Sequence, residues 1–195
     1  MNYASIRECD IANGEGVRVT LFVSGCTHHC KGCFNPDQWD FEYGEPFSRE
    51  VEDRILGLLE PSHIAGMSIL GGEPMEPANQ RALLPFLRRL RERFGARKTI
   101  WVYTGCVLEE LVSSSRDKNV ASPLTSQCKG DATFLSREEK ASSASSRWRT
   151  EATDELLSLI DVLVDGPFIE ELKDISLQFR GSSNQRILHL KELLK

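Results

Sequence analysis

The sequence lacks several features that would link it to a membrane or to a nucleic acid. Its 195 residues contain no apolar run of 18 residues, and residues 1–10 have neither the basic start nor the apolar core of a signal peptide. Positive charge is not in excess either, because 24 basic side chains are outnumbered by 29 acidic ones, for a net charge of −5. This balance argues against a broad nucleic-acid-binding surface. We therefore predict a cytoplasmic protein that binds neither nucleic acid nor membrane.

The chain is also too short for several architectures. It cannot form two large domains, and it falls short of the roughly 250 residues of a complete (β/α)8 barrel. We predict one domain over residues 1–195, in which any barrel would be incomplete. Three cysteines, Cys9, Cys106 and Cys128, have no partner at a metal-ligand spacing. We expect each to be a small buried residue or an incidental thiol, because a reducing compartment does not favour disulfides.

The other three cysteines are concentrated in eight residues. The segment SGCTHHCKGCFN, residues 24–35, contains Cys26, Cys30 and Cys33 at the spacing C-x3-C-x2-C. Thiolates this close indicate a shared ligand, which the residues alone leave open as an iron–sulfur cluster, a zinc ion completed by His28 or His29, or a disulfide with one spare thiol. Closed structural sites use four protein ligands, so three cysteines favour a centre with one open position.

Hydrophobic patterning predicts a parallel α/β fold. Four apolar runs have the length and composition of strands in a buried sheet, namely Val17–Val23, Gly66–Leu70, Lys98–Thr104 and Asp161–Val164. Helical segments lie between and after them, namely one following Ser48, one with a stripe from Leu83 to Phe94, one capped by Thr153 or Asp154, and a final amphipathic stretch Ile187–Leu194. Parallel strands present their carboxyl ends at one edge, where α/β proteins place their chemistry.

A second motif follows the second predicted strand. Gly71-Gly72-Glu73-Pro74 comes about forty residues after the cysteines. Two consecutive glycines allow a sharp turn and a close approach of the backbone to a ligand. Exposed backbone N–H and C=O groups at such a turn can bind a zwitterionic amino acid.

The cysteine motif and GGEP together resemble the radical S-adenosylmethionine (SAM) enzymes. This resemblance implies a partial, incomplete parallel β/α barrel, a 4Fe–4S cluster and SAM as cofactors. It implies that the cluster is bound by Cys26, Cys30 and Cys33. It further implies that the adenine of SAM lies against Gly32, Cys33 and Phe34, and that the methionyl end is held by Gly71, Gly72 and Glu73. Residues 165–168 and 181–186 are candidates for the remaining cofactor wall or for partner docking.

Five further segments narrow the resemblance to one family. NGEG-x-R-x-T-LFVSGC, C-x-x-C-FNP-x-x-W, WVYTG, LIDVLVDGPF and FRGSSNQR are similar to segments of the activating proteins of anaerobic ribonucleoside-triphosphate reductases. The family's chemistry implies that the reduced cluster cleaves SAM to methionine and a 5′-deoxyadenosyl radical. That radical takes a hydrogen atom from a glycine of the large reductase, its protein partner, and leaves a glycyl radical. The electron would come from a one-electron donor such as a flavodoxin.

Several alternatives remain open at this point. The chain could activate another glycyl radical enzyme of the pyruvate formate-lyase type, or be a small radical SAM enzyme acting on a purine-like substrate. A non-catalytic zinc or iron–sulfur protein is the alternative from another class. A serine-rich insertion at about residues 113–150 does not belong to the family pattern, and its role is not indicated by the sequence.

Overall fold

A computed structural model of the chain describes residues 1–112 and 147–194. These residues form one seven-stranded sheet with the order β3-β1-β2-β4-β5-β6-β7. The strands are β1 (Asn2–Asp10), β2 (Val17–Val23), β3 (Glu45–Pro46), β4 (Ile64–Gly71), β5 (Thr99–Tyr103), β6 (Val162–Asp165) and β7 (Arg186–His189). The α-helices are α1 (Arg49–Leu58), α2 (Pro77–Phe94), α3 (Leu108–Leu111), α4 (Thr153–Leu159) and α5 (Leu190–Leu193).

The predicted α/β class and parallel centre are confirmed, but the sheet is mixed. Strands β2, β4, β5 and β6 pair in parallel and correspond to the four predicted strands. Strands β1, β3 and β7 were not predicted, and they pair antiparallel at the two sides. The sheet is open, since β3 and β7 are its two edges. The central parallel strands confirm the predicted α/β class. The predicted incomplete β/α barrel is not confirmed.

The unpredicted strands have sequences without a strong strand pattern. Strand β1 reads NYASIRECD, and most of its side chains are partly or fully exposed, because only one face of it packs on the core. The last segment, predicted as one amphipathic stretch Ile187–Leu194, is divided between β7 and the short helix α5. Pairing with β6 decides this division, since Val164 lies opposite Ile187 in the antiparallel register.

The helices begin and end close to the predicted positions, with two corrections. Helix α2 starts at Pro77, before the predicted stripe from Leu83 to Phe94, so Pro85 lies in its interior. Ala152 is the N-cap of α4, in place of the predicted Thr153 or Asp154. The Thr153 hydroxyl is used elsewhere, because it donates to Gln80 Oε1 of α2 at 2.6 Å.

The two faces of the parallel strands differ in composition. Alternate residues turn toward the helices and are fully buried in an apolar core, for example Val19, Leu21 and Ile69. The opposite face carries Arg18, whose buried guanidinium donates to Ser68 Oγ at 2.7 Å and to the Thr99 carbonyl at 2.9 Å. Burial lowers the pKa of this arginine to about 10. The face away from the helices therefore has a polar interior.

Most of the serine-rich insertion predicted at about 113–150, namely residues 113–146, lies outside the described residues. Its last part is described and includes Trp148, which is buried in the main core cluster. In the described ranges, none of the helices has the length and apolar character needed to cross a membrane.

Candidate cofactor site

A cavity of about 380 Å³ opens at the carboxyl ends of the parallel strands. Its wall includes most of the residues that the sequence singles out, namely Cys26, Cys30, Cys33, Phe34, Gly71, Gly72 and Glu73. Gly32 is the exception and does not line the cavity. A Cβ at Gly32 would lie 2.9 Å from the Glu170 carboxyl group, and its φ of +70° also favours glycine. From the two tail segments, Gly166, Phe168, Gly181 and Gln185 line the cavity.

All three cysteines of the motif are free thiols, which excludes the disulfide alternative for this structure. Cys26 is buried, and burial raises the pKa of its thiol to about 11. Burial also raises the pKa of Cys30. Cys26 and Cys30 are therefore neutral in the absence of a metal, and binding of iron would displace their protons.

The spacing of the three thiols does not match a single zinc ion. Zinc bonds of about 2.3 Å require sulfur atoms within about 4 Å of one another. In the part of the chain that the structure describes, the three cysteines do not form a group whose ligand atoms all lie within 4.8 Å. An iron–sulfur cluster has several iron atoms and does not require its cysteine ligands to lie this close together.

The start of the cysteine loop is fastened to α2 and to the turn before it. Glu76 accepts hydrogen bonds from Thr27 N at 2.8 Å and from Thr27 Oγ1 at 2.6 Å. Asn79 Nδ2 donates to the carbonyl of Ser24 at 3.0 Å. On the other side, Cys26 N donates to the carbonyl of Trp39 at 3.1 Å. The backbone around the first cysteine is thereby fixed before any metal binds.

Glu73 of GGEP is a buried hub between three loops. Its side chain is 1% exposed, and its carboxylate oxygens accept hydrogen bonds from Met75 N, Thr104 Oγ1 and Gly105 N, each at 2.7 Å. A fourth donor group, His28 Nε2, lies 3.0 Å from Oε2. A carboxylate with four donors has little capacity left for another ligand. The Glu73 side chain therefore joins the cysteine loop to the ends of β4 and β5.

His28, Glu73 and Cys106 lie close enough together to hold a metal ion by proximity alone. Two observations argue against this use. The Glu73 carboxylate is already occupied by four donors, and burial raises the pKa of the Cys106 thiol far above neutrality. The sulfur of Cys106 is 3.7 Å from His28 Nε2, which a neutral thiol packed beside the ring explains.

The double glycine allows the backbone to turn tightly beside the cysteine loop. Gly71 has a φ of +114°, and a Cβ there would lie 2.7 Å from the carbonyl oxygen of Val23. The N–H groups of Gly72 and Glu73 donate to the carbonyls of Val23 and Gly25, at 2.7 and 2.8 Å. A ligand at this turn would therefore meet backbone carbonyl oxygens, which bind an ammonium group.

Three polar atoms on the cavity wall were not predicted from the sequence. Tyr103 Oη, Arg180 Nε and Trp39 Nε1 are buried and have no hydrogen-bond partner in the described structure. Buried polar groups normally have partners, so these atoms fit a polar ligand such as SAM. The sequence offered only a weak signal, because a tyrosine at a strand end and an arginine in a tail have many ordinary uses.

The tail segment 167–185 covers one side of the cavity. Phe168 packs against Phe34 with ring centroids 5.0 Å apart, and Lys173 Nζ lies 5.0 Å above the Phe34 ring. Lys31 of the cysteine loop pairs with Glu170 at 3.0 Å. Phe34 nevertheless remains 61% exposed, so the cavity keeps an open rim at the cysteine loop.

These features define an α/β protein in which three clustered cysteines and a double-glycine turn line one cavity. The family model for a 4Fe-4S single cluster domain matches residues 12–148 and 138–188.

Comparison with known proteins gives the particular family. The chain is 37% identical over 193 residues to the anaerobic ribonucleoside-triphosphate reductase-activating protein of Escherichia coli, covering 98% of this chain and 100% of the relative. It is 38% identical over 191 residues to the protein of that name from Haemophilus influenzae, covering 97% of each chain. It is 37% identical over 189 residues to the one from Vibrio cholerae, covering 96% of this chain and 97% of the relative. The chain belongs to the family of anaerobic ribonucleoside-triphosphate reductase-activating proteins.

Proposed function

We propose that this chain is an activating enzyme that uses a 4Fe–4S cluster and SAM to generate the glycyl radical of an anaerobic ribonucleoside-triphosphate reductase. The observation that carries the proposal is the cavity in which three free cysteines face a double-glycine turn. The match to a 4Fe-4S single cluster domain and the family of the relatives support the same function.

Cys26, Cys30 and Cys33 would hold the cluster and leave one iron without a protein ligand. Cluster and SAM, when bound, would supply a one-electron reductive cleavage to methionine and a 5′-deoxyadenosyl radical, which becomes 5′-deoxyadenosine by taking a hydrogen atom from the partner's glycine. The chain's own residues have another task, which is to place the cofactors and exclude water. The buried Cys26 and the hydrogen bonds around Ser24 and Thr27 would keep the ligand loop in one conformation.

SAM would extend from the double-glycine turn across the cysteine loop. Its ammonium group would be bound by backbone carbonyls at Gly71 and Gly72, because the N–H groups of this turn already have partners. Its adenine would lie near Cys33 and Phe34. Tyr103 and Arg180 carry the unpaired polar atoms that are available for the ribose or the carboxylate. Glu73 would act on SAM through the backbone that its side chain fixes.

The protein partner would approach from the open rim beside Phe34. An unclosed sheet, as an incomplete barrel of radical SAM type would have, leaves room for a glycine loop of the large reductase to reach the cofactors. The exposed Phe34 ring fits such a contact, since aromatic residues are enriched at protein interfaces. A one-electron donor such as a flavodoxin would be a further partner.

The test is anaerobic reconstitution of the protein with iron and sulfide, followed by reduction in the presence of SAM. Formation of 5′-deoxyadenosine, and of a glycyl-radical EPR doublet only when the large reductase is added, would support the proposal. A pyruvate formate-lyase-type enzyme serves as the control partner, and a doublet on it alone would favour the alternative activase. One tightly bound zinc ion without SAM cleavage would refute the proposal.

A further inference from the structure

His28 is a side chain in the cysteine loop that neither cluster ligation nor SAM binding uses. It lies between Cys26 and Cys30, and its Nε2 is 3.0 Å from Glu73 Oε2. The imidazole and the carboxylate are thus in direct polar contact. This contact connects the middle of the ligand loop to the hub that also holds the ends of β4 and β5.

The imidazole ring is stacked on an indole and closely approached by a glycine. The indole ring of Trp148 stacks on it, with centroids 4.5 Å apart and an interplanar angle of 19°. Gly105 lies so close that a Cβ added there would be 2.8 Å from the ring atoms Cδ2 and Nε2. His28 is mostly buried, with 14% of its side chain exposed. The ring therefore has one position, which three separate parts of the chain define.

The residues beside His28 show why this position matters for the ligand loop. Thr27 is fixed by Glu76 through its N–H and its hydroxyl. His29 has a φ of +49°, a left-handed backbone conformation that residues other than glycine rarely adopt. Cys30 follows directly, so its orientation depends on how this part of the loop is held. His28 links this part of the loop to the buried carboxylate of Glu73.

We propose that His28 is a positioning residue, which holds the Cys26–Cys30 segment in the conformation that binds the cluster. This inference rests on the proposed function, because it assumes that the three cysteines bind a cluster. His28 would act like the hydrogen-bond partners around other metal sites, whose loss commonly costs 10- to 100-fold in metal affinity. It touches neither iron nor SAM in this role, and it acts through the two cysteines that flank it.

The experiment compares three variants of the full chain after anaerobic reconstitution. His28→Ala removes both the polar contact with Glu73 and the ring stacking, whereas His28→Gln keeps an amide N–H that can reach Glu73. His63→Gln is the matched control, because His63 is exposed and precedes β4. Four properties are measured: iron and sulfide per chain, the rate of cluster loss to a chelator, the EPR spectrum of the reduced cluster, and the Tm of the apoprotein.

We expect His28→Ala to lose its cluster about 10-fold faster than the wild type, with an altered EPR spectrum. His28→Gln should lose it only about three-fold faster, with a wild-type spectrum, because only the stacking is lost. His63→Gln should match the wild type throughout. If His28→Ala lowers the Tm of the apoprotein, the test rests on His28→Gln. An altered EPR spectrum of the reduced cluster in a folded His28→Gln protein would overturn the inference.

Two other results separate this inference from the function on which it rests. Wild-type cluster retention and spectrum in His28→Ala would overturn the inference alone. Wild-type protein that assembles no iron–sulfur cluster would overturn the proposed function and, with it, the positioning role of His28.

Discussion

The two faces of the central strands are built from alternate residues of the same segments, yet they differ in chemistry. On the helix-covered face, β5 and β6 contribute Ile100, Val102 and Leu163 to a large apolar core. On the opposite face, the same strands contribute Trp101, Val162 and Val164 to a small cluster. The first face gains stability from burial of apolar surface, and the second leaves space for a cofactor.

Polar groups make the difference sharper. The opposite face buries the Arg18 guanidinium, which is satisfied by Ser68 and by neutral carbonyl oxygens. It also buries the hydroxyl oxygen of Tyr103 without a partner in the described residues. A polar atom buried without a partner destabilises the fold. The comparison therefore teaches that this face is arranged for a ligand, at some cost in stability, while the helix-covered face holds the sheet together.

The largest expected effect tests the chemistry of the cofactor site without touching the apolar core. Cys30→Ala removes one of three cluster ligands, and we expect complete loss of 5′-deoxyadenosine formation. Because Cys30 is only half-buried, the apoprotein should keep its far-UV circular dichroism spectrum and its Tm. Cys9→Ala is the control, since Cys9 is exposed and distant in sequence from the motif. Retention of SAM cleavage by Cys30→Ala would refute the ligand assignment.

A substitution on the helix-covered face should have the opposite outcome. Leu87 in α2 is fully buried in the large core, so Leu87→Ala should lower the free energy of unfolding by about 2–5 kcal/mol. Urea unfolding of the apoprotein measures this loss. The folded fraction of Leu87→Ala should bind SAM as tightly as the wild type, and weaker binding would break the division between the two faces.

Acid should weaken the contacts that Asp161 makes on the helix-covered side of the sheet. Burial alone would raise the pKa of Asp161, but hydrogen bonds from Arg91, Lys191 and Ile100 N outweigh it and hold the pKa below its usual value. Stability from this carboxylate is therefore present above the pKa of an unfolded aspartate, near 4, and is lost as the pH falls through the lower folded value.

The matched variant for this effect is Asp161→Asn, which removes the charge that the acid would neutralise. We expect it to lose about 1.5–3 kcal/mol at neutral pH, as is typical of hydrogen bonds to a charged group. Its stability should also depend less on pH between 5 and 3 than that of the wild type. Parallel pH profiles for the two proteins would contradict the role of Asp161.

The smallest expected effect concerns the hydroxyl of Tyr103. It lies on the cavity wall, buried and without a partner, so Tyr103→Phe should leave the Tm unchanged or slightly raised. If the hydroxyl binds SAM, the variant should bind SAM about 10-fold more weakly, as the loss of one good hydrogen bond predicts. Equilibrium dialysis with the reconstituted protein measures this. An unchanged affinity would remove Tyr103 from the cofactor site.

Much of the site was predictable because its residues are close together in the sequence. The two motifs, C-x3-C-x2-C and GGEP, follow the ends of β2 and β4. These strands pair in parallel, so both motifs lie at the same edge of the sheet. The use of Glu73 was not predictable in the same way. The resemblance assigns Glu73 to the methionyl end of SAM, but it does not indicate that the carboxylate meets His28 and Gly105, because these groups converge only after β4 and β5 pair.

By itself the sequence determined the class of the fold, the cluster motif and the family resemblance, because each depends on local pattern and short-range spacing. The tertiary structure alone decided which polar groups meet across long distances in the chain. Trp148 stacks on His28. Tyr103 and Arg180 line the same cavity, and β7 pairs antiparallel with β6. Such contacts are set by strand order and packing, and no local pattern of residues encodes them.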